Sequence, residues 1–215
     1  MPLLAKGILA EFGIKEFSRG KLFSAGSNSK VTVIHTGMGP AFTGDAVLYL
    51  KDSGCLNVIL FGSCGLVQDR EGLCVGKLVC PSESYANESF TDLLLSRRIR
   101  KKPFGADKGL LKALLHAGKE AQVEEVTAAT MASLKLEEDM RGSLIKEKID
   151  VVDMESSAFF AAAHHAGLRA AALFYVSDSI GTIPFYALCG QEDYIRAAIR
   201  KSVAVLKKCI EESLA

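Results

Sequence analysis

Short aliphatic runs alternate with stretches of helical periodicity along almost the whole chain, and this alternation restricts the fold more than any other feature. The pattern predicts strands at "KVTVIHT" (30–36), "NVILFG" (57–62), "GKLVCP" (76–81), "VEEVTAA" (123–129), "KIDVVD" (148–153) and "RAAALFYVS" (169–177). Helices are expected over 2–12, 41–52, 107–119, 134–147, 155–166 and 191–213. Pro40 suits a first helical turn, Asp107 an N-cap, and Gly118 and Gly167 helix stops. Tyr194, Ile195, Ile199, Val203, Leu206 and Ile210 form one stripe on the last helix, as on an amphipathic cover. Strand-helix alternation of this kind predicts an α/β fold, a three-layer α-β-α arrangement with helices on both faces of a central mixed sheet. With 215 residues and no repeat, linker or low-complexity segment, residues 1–215 read as a single domain.

Composition then removes several classes of function. The chain is 49% hydrophobic but only 7% aromatic, so its core is aliphatic. A net charge of +1 lacks the footprint of a nucleic-acid binder, and the one basic cluster, "SRRIRKKP" at 96–103, reads as a solvated loop or helix end. Six cysteines form no CxxC pair and have no histidine at zinc-like spacing, which predicts reduced core thiols and no bound metal. Lys6 and Glu11 interrupt the N-terminal apolar stretch, and His164, His165 and Arg169 break the apolar region 158–176. Neither a signal peptide nor a membrane span is expected, and the cytoplasm is the expected compartment.

Four unusual turns fall just past the expected strands: "TGMGP" (36–40), "GSCG" (62–65), "DMESS" (153–157) and "SDS" (177–179). Ligands of open α/β sheets bind at that edge, so the four together predict one composite site. Gly37 and Gly39 allow either a tight turn or a close backbone approach to a sugar or anion, with Met38 between them. Gly62 and Ser63 offer a similar choice, and Cys64 reads as packing because nothing nearby would make it a thiolate. Glu155 lies among Val151, Val152, Phe159 and Phe160, a costly setting for a carboxylate without a partner. Vicinal hydroxyls would suit its two oxygens. Asp153 fits an N-cap equally well. Asp178, between Ser177 and Ser179, is either a turn residue or a general acid kept partly buried so that its pKa rises.

The motifs "HTGMGP", "FGSCG", "VDMESSA" and "VSDS", in this order over about residues 30–180, resemble those of the purine nucleoside phosphorylase and nucleosidase superfamily. That group includes methylthioadenosine/S-adenosylhomocysteine nucleosidase and futalosine hydrolase. The resemblance implies that Glu155 grips the ribose 2′- and 3′-hydroxyls, that Met154 packs against the sugar, and that Asp178 protonates N7 of a purine. It also implies a ribose loop at Gly37, Met38 and Gly39, a GS-x-G loop at Gly62 and Ser63, and a base-contact segment at "TAATMAS" (127–133) with Met131. Ser177 belongs to the same set. Family members that prefer pyrimidines usually lack the aspartate, so a purine-like base is implied. Phosphorylases of the family carry an arginine two residues before the first glycine of GS-x-G, where this chain has Leu60. An apolar side chain cannot replace a guanidinium fork on phosphate. Hydrolysis is therefore the leading expectation, with Ser63 helping to place the water. Phosphorolysis, and nucleoside binding without turnover, stand as alternatives. The family's opening β-strand is expected to be absent, the chain starting at the helix that follows it. No cofactor is implied, water or phosphate is the implied co-substrate, and a homodimer is expected.

Overall fold

The computed structural model describes residues 3–89, 103–182 and 192–214. Residues 96–102 of the basic cluster, and Cys189, lie outside them. In chain order the elements are α1 (Leu3–Glu11), β1 (Ser18–Arg19), β2 (Ser24–Ser27), β3 (Thr32–His35), α2 (Pro40–Leu48), β4 (Asn57–Leu66), β5 (Leu78–Asn87) and β6 (Phe104–Gly105). There follow α3 (Lys108–Ala117), β7 (Glu124–Met131), α4 (Leu136–Lys146), β8 (Val151–Asp153), α5 (Ser156–Ala166), β9 (Arg169–Ser179) and α6 (Glu192–Leu214).

Strands β1, β2 and β3 form a small antiparallel sheet of their own. The expected strand at 30–36 therefore belongs outside the main sheet. The main sheet has the order β6-β5-β7-β8-β4-β9, and β5 also pairs with β9, closing the sheet on itself. It is mixed: β5–β7, β7–β8 and β4–β9 are parallel, while β4–β8, β5–β9 and β5–β6 are antiparallel.

The two-residue period of β9 shows how the layers form. Ala170, Ala172, Phe174 and Val176 face a cluster with Phe159, Phe160 and Ala163 of α5 and Val47 of α2. Ala171 and Leu173 face the opposite way, onto Leu110 and Leu114 of α3 and Ala198 and Leu206 of α6. A strand buried on both faces reads as one continuous apolar run, which is why "AAALFYV" has no polar alternation. A third cluster of Val67, Met131, Leu144, Val152 and Ile180 seats α4 near the carboxyl ends of β4 and β9. Among the described residues, no helix is long and apolar enough to cross a membrane.

Local signals set most boundaries. Pro40 opens α2, the Asp107 side chain accepts from Leu110 N at 2.8 Å to open α3, and Gly167, with φ 72°, closes α5. Strand lengths departed further from expectation. "GSCG" and "SDS" are not turns after β4 and β9 but the last residues of those strands, which pair in register as far as Leu66 and Ser179. Mutual pairing of the two strands satisfies their backbones, and this outweighs the weak strand preference of Gly and Ser. Conversely β8 begins late, because Lys148 turns the chain with φ 58° just before it.

Candidate active site

The junction between β8 and α5 carries two carboxylates with different partners. Asp153 is buried and acts as the helix cap: its Oδ2 accepts from Ser156 N at 2.7 Å. Its Oδ1 accepts from Thr130 Oγ1 at 3.0 Å and from Ser156 Oγ at 2.8 Å. Thr130 Oγ1 in turn accepts from Ser157 N at 2.8 Å, and Ser84 Oγ lies 2.7 Å from Ser156 Oγ. The Ser157 hydroxyl donates to the Glu88 carboxylate. Thus β5, β7, β8 and α5 are tied by one buried hydroxyl network, in which every buried side-chain oxygen has a partner. Burial pushes the Asp153 carboxyl up to about 7; the Ser156 hydrogen bonds oppose this and the nearby Glu155 charge adds to it.

Glu155 occupies the N-cap position but does not cap. Its Oε1 reaches across to α2 and accepts from Gly39 N at 2.6 Å. Gly39 has φ 106°, a conformation closed to most side chains, so the glycine is required for this amide to meet the carboxylate. Burial raises the Glu155 carboxyl, and the Gly39 and Met154 amides pull the other way. Met154 is half-buried beside it, whereas Met38 is 60% exposed.

Asp178 lies on β9 and is 4% exposed. The β4–β9 ladder shifts register here, from Cys64 opposite Val176 to Gly65 opposite Asp178, so Ser177 is the extra residue of a bulge. A Cβ at Gly65 would sit 2.9 Å from Asp178 Oδ2 and 3.3 Å from Val152 Cγ2. The second glycine of "GSCG" therefore makes room for the aspartate itself. Ser177 Oγ donates to Asp178 Oδ1. Burial raises the Asp178 carboxyl, with the Ser177 hydrogen bond opposing.

Gly65 also pairs with Val152 on β8. Val152, Gly65 and Asp178 thus stand abreast on neighbouring strands, which places Asp178 beside the β8–α5 junction. Cys64 lies between the two groups. Its thiol is pushed well up by burial and by the charges of Asp153 and Asp178, and it donates to the Tyr175 carbonyl at 3.8 Å. It packs and is no nucleophile.

Gly37, Met38, Gly39, Met154 and Glu155 thus meet at one place, with Ser177, Asp178 and Gly65 on the adjoining strands. Two expected residues fall elsewhere. Met131 is fully buried with Leu144, Val152 and Ile180, so its side chain presents no surface to a ligand. Ser63 lies opposite Tyr175 in the β4–β9 ladder, and Tyr175 packs on the α3–α6 side of the sheet, so Ser63 faces that side. A Cβ added at Gly62 would meet the Phe174 ring at 3.9 Å. Sequence reasoning missed Ser84 and took in Thr130 and Gly65 only as members of the stretches 127–133 and 62–65, since hydroxyls and glycines on strands carry no periodic signal. Among the described residues, no group of three or more His, Cys, Asp or Glu could hold a metal ion.

A family model described as "Phosphorylase superfamily" matches residues 3–214. Among curated proteins no match was found. Several solved structures share the fold. Native futalosine hydrolase of Helicobacter pylori superposes with a TM-score of 0.79 at 14% identity, covering 99% of this chain and 95% of that one. The 5′-methylthioadenosine/S-adenosylhomocysteine nucleosidase of Helicobacter pylori gives 0.79 at 15% identity, with 99% and 95% covered. Uridine phosphorylase of Vibrio fischeri gives 0.76 at 18% identity, with 97% and 87% covered.

Proposed function

The chain belongs to the phosphorylase superfamily, and from that premise we propose that it hydrolyses the N-glycosidic bond of a purine or purine-like nucleoside. The observation that carries the reading is the placement of a buried acid, Asp178, on the strand abreast of the junction that holds Glu155. An acid on one side and a hydroxyl-binding carboxylate on the other match the two halves of a nucleoside.

A purine leaves poorly as an anion and well once its ring nitrogen is protonated. Asp178, its carboxyl raised by burial, supplies that proton as the C–N bond lengthens. The sugar then carries oxocarbenium-like charge. Glu155 spends part of its acceptor capacity on Gly39 N, and a carboxylate has about four lone-pair sites, enough left for two vicinal hydroxyls. Gly39 fixes the direction of this carboxylate, so the hydroxyls are held without reorganisation.

The apolar Leu60 side chain, packed against the cluster around Phe159 and Phe160, favours water over phosphate as the nucleophile. Phosphate recognition relies on charged forks, and none stands at that position. Met38, Phe42 and Tyr49 are 60%, 48% and 70% exposed before, on and after α2, which Gly39 opens. We assign this apolar face to a second copy of the chain, giving a homodimer whose interface borders the sugar site. The buried thiols Cys64 and Cys80 suit a reducing compartment such as the cytoplasm.

The test is a panel of purine and pyrimidine nucleosides assayed for free base with and without phosphate. Phosphate-independent release from purines alone is the expected result. Strict phosphate dependence would reassign the chain as a phosphorylase, release from pyrimidines would overturn the base assignment, and binding without product would leave a nucleoside-binding protein.

A further inference from the structure

Glu88 follows β5 and stands outside every motif read above. It is half-buried, and its Oε1 accepts from the Ser157 hydroxyl. A carboxylate beside a helix N-terminus is favoured by the helix dipole alone. The way this junction is built asks more of it.

An N-cap residue normally turns its side chain back onto the first amides of its own helix. Glu155 holds that position and turns its carboxylate away, to Gly39 N. The first amides of α5 are met by other residues instead. Ser156 N donates to Asp153 Oδ2 at 2.7 Å, and Ser157 N donates to Thr130 Oγ1 at 2.8 Å. The Ser157 side chain makes the third tie, to Glu88. Residues of β8, of β7 and just after β5 thus each grip the first turn, and the Glu155 side chain is released from capping.

Register explains why Glu88 works through an intermediary. Asn87 pairs with Met131, and Thr130 with Asp153, so Glu88 is one residue past the last β5–β7 pair and two strands away from β8. Neighbouring strands lie about 4.8 Å apart, so the strand leading into Glu155 is about 10 Å across the sheet. Ala86, Thr130 and Asp153 stand abreast with their side chains on one face, and alternation returns Glu88 to that face, where Ser157 meets it. Ser157 is 1% exposed, and a hydroxyl buried there without an acceptor is costly. Deprived of Glu88, it would turn to a carbonyl of the preceding turn, the local bond that bends helices.

We propose that Glu88 is a positioning residue for the sugar-binding carboxylate: through Ser157 it holds the first turn of α5, and with it the Glu155 backbone, where both vicinal hydroxyls of a ribose can be taken. The consequence for catalysis rests on the nucleosidase reading; the hold on α5 does not. Gly39 fixes the Glu155 carboxylate from the front, and Ser157 fixes its backbone from behind. A shift of about 1 Å in a positioned group can cost about 100-fold in rate. A carboxylate that must meet two hydroxyls at once tolerates such a shift less well than one that meets a single hydroxyl.

The test measures kcat/KM for the purine ribonucleoside that is cleaved fastest and for its 2′-deoxy analogue, in the wild type, Glu88→Ala, Glu88→Gln and Ser157→Ala. The preference for the ribonucleoside should fall about tenfold in Glu88→Ala and equally in Ser157→Ala. It should fall less in Glu88→Gln, whose amide oxygen still accepts. Combining Glu88→Ala with Ser157→Ala should lower it no further. A loss of stability alone lowers both rates alike, so an unchanged preference overturns the proposal, as does an additive loss in the double variant. Amide hydrogen exchange reads the same hold without substrate. Ser157 N–H should exchange about tenfold faster in Glu88→Ala, with Leu110 N–H of α3 as the fixed reference. Equal Ser157 exchange in variant and wild type overturns the proposal. If Glu88→Ala does not fold, Glu88→Gln and Ser157→Ala decide. If the wild type releases no base, or treats both sugars alike, the sugar role of Glu155 falls, and the exchange rates decide whether Glu88 holds the turn.

Discussion

Two acidic regions stand side by side at one edge of the sheet and are built on opposite terms. Around Asp153, three donors from Ser156 and Thr130 surround one carboxylate, and further hydroxyls from Ser84 and Ser157 close the network. Around Asp178, one hydroxyl among the described residues, that of Ser177, serves the carboxyl. The first arrangement fixes geometry, because removing any member leaves buried polar atoms without partners. The second leaves a carboxyl under-supplied with donors, which favours its neutral form. The contrast teaches that one buried acid holds a junction through its donors while the other is left to the proton transfer proposed above, although burial raises both carboxyls.

Breaking the reactive side gives the largest effect. Asp178→Asn should lower turnover by about 10²–10⁴-fold, the usual share of a general acid, while nucleoside affinity changes only a few-fold. Steady-state kinetics and a binding titration check both halves, and unchanged turnover removes Asp178 from its role.

Breaking the structural side should act on stability instead. Asp153→Ala removes the helix cap and strands the Ser156 amide and hydroxyl and the Thr130 hydroxyl. A cost of about 2–4 kcal/mol is expected in urea unfolding, with Asp153→Asn milder because one acceptor oxygen survives. A loss below about 0.5 kcal/mol for the alanine would mean the network is not fixing the junction.

A subtler break leaves every polar group in place. Gly65→Ala pushes a methyl to 2.9 Å from Asp178 Oδ2, so the carboxyl must shift. Turnover should fall roughly tenfold or more, about 1.4 kcal/mol in the barrier, with little change in nucleoside affinity.

The smallest effect sharpens the contrast through pH. Glu137, in the first turn of α4, has its folded-state carboxyl raised by burial to about 8, so the folded chain holds that proton more tightly than the unfolded chain does. Its favourable contribution is full below the unfolded carboxylate range of about 4.3 and is lost as pH rises to about 8. The wild type should therefore lose more in Tm between pH 5 and 8 than Glu137→Gln, by a few degrees. Parallel Tm curves for the two proteins would show that Glu137 ionises normally.

Much of the architecture was legible before any coordinates. Pro40, Asp107 and Gly167 mark helix ends because capping is settled within a few residues. The apolar run of β9 announces a strand buried on both faces. The β8–α5 junction was legible too, since "VDMESSA" concentrates carboxylates and hydroxyls where an aliphatic strand stops. The sequence alone therefore determined the longer elements, the two-sided core and the candidate acids Glu155 and Asp178, but not the short strands β1, β2 and β6, because periodicity and local cost are properties of neighbours along the chain.

Tertiary structure alone decided which groups meet. Strand pairing across more than a hundred residues set Gly65 against Asp178 and Ser63 opposite Tyr175, and packing carried the Gly39 amide to Glu155. Packing of α4 against the ends of β4 and β9 buried the first-turn acid Glu137, and it closed Met131 into the core. A one-residue bulge or a helix docking angle redirects a side chain without altering the local pattern, so partners, burial and pKa arise only when distant segments pack.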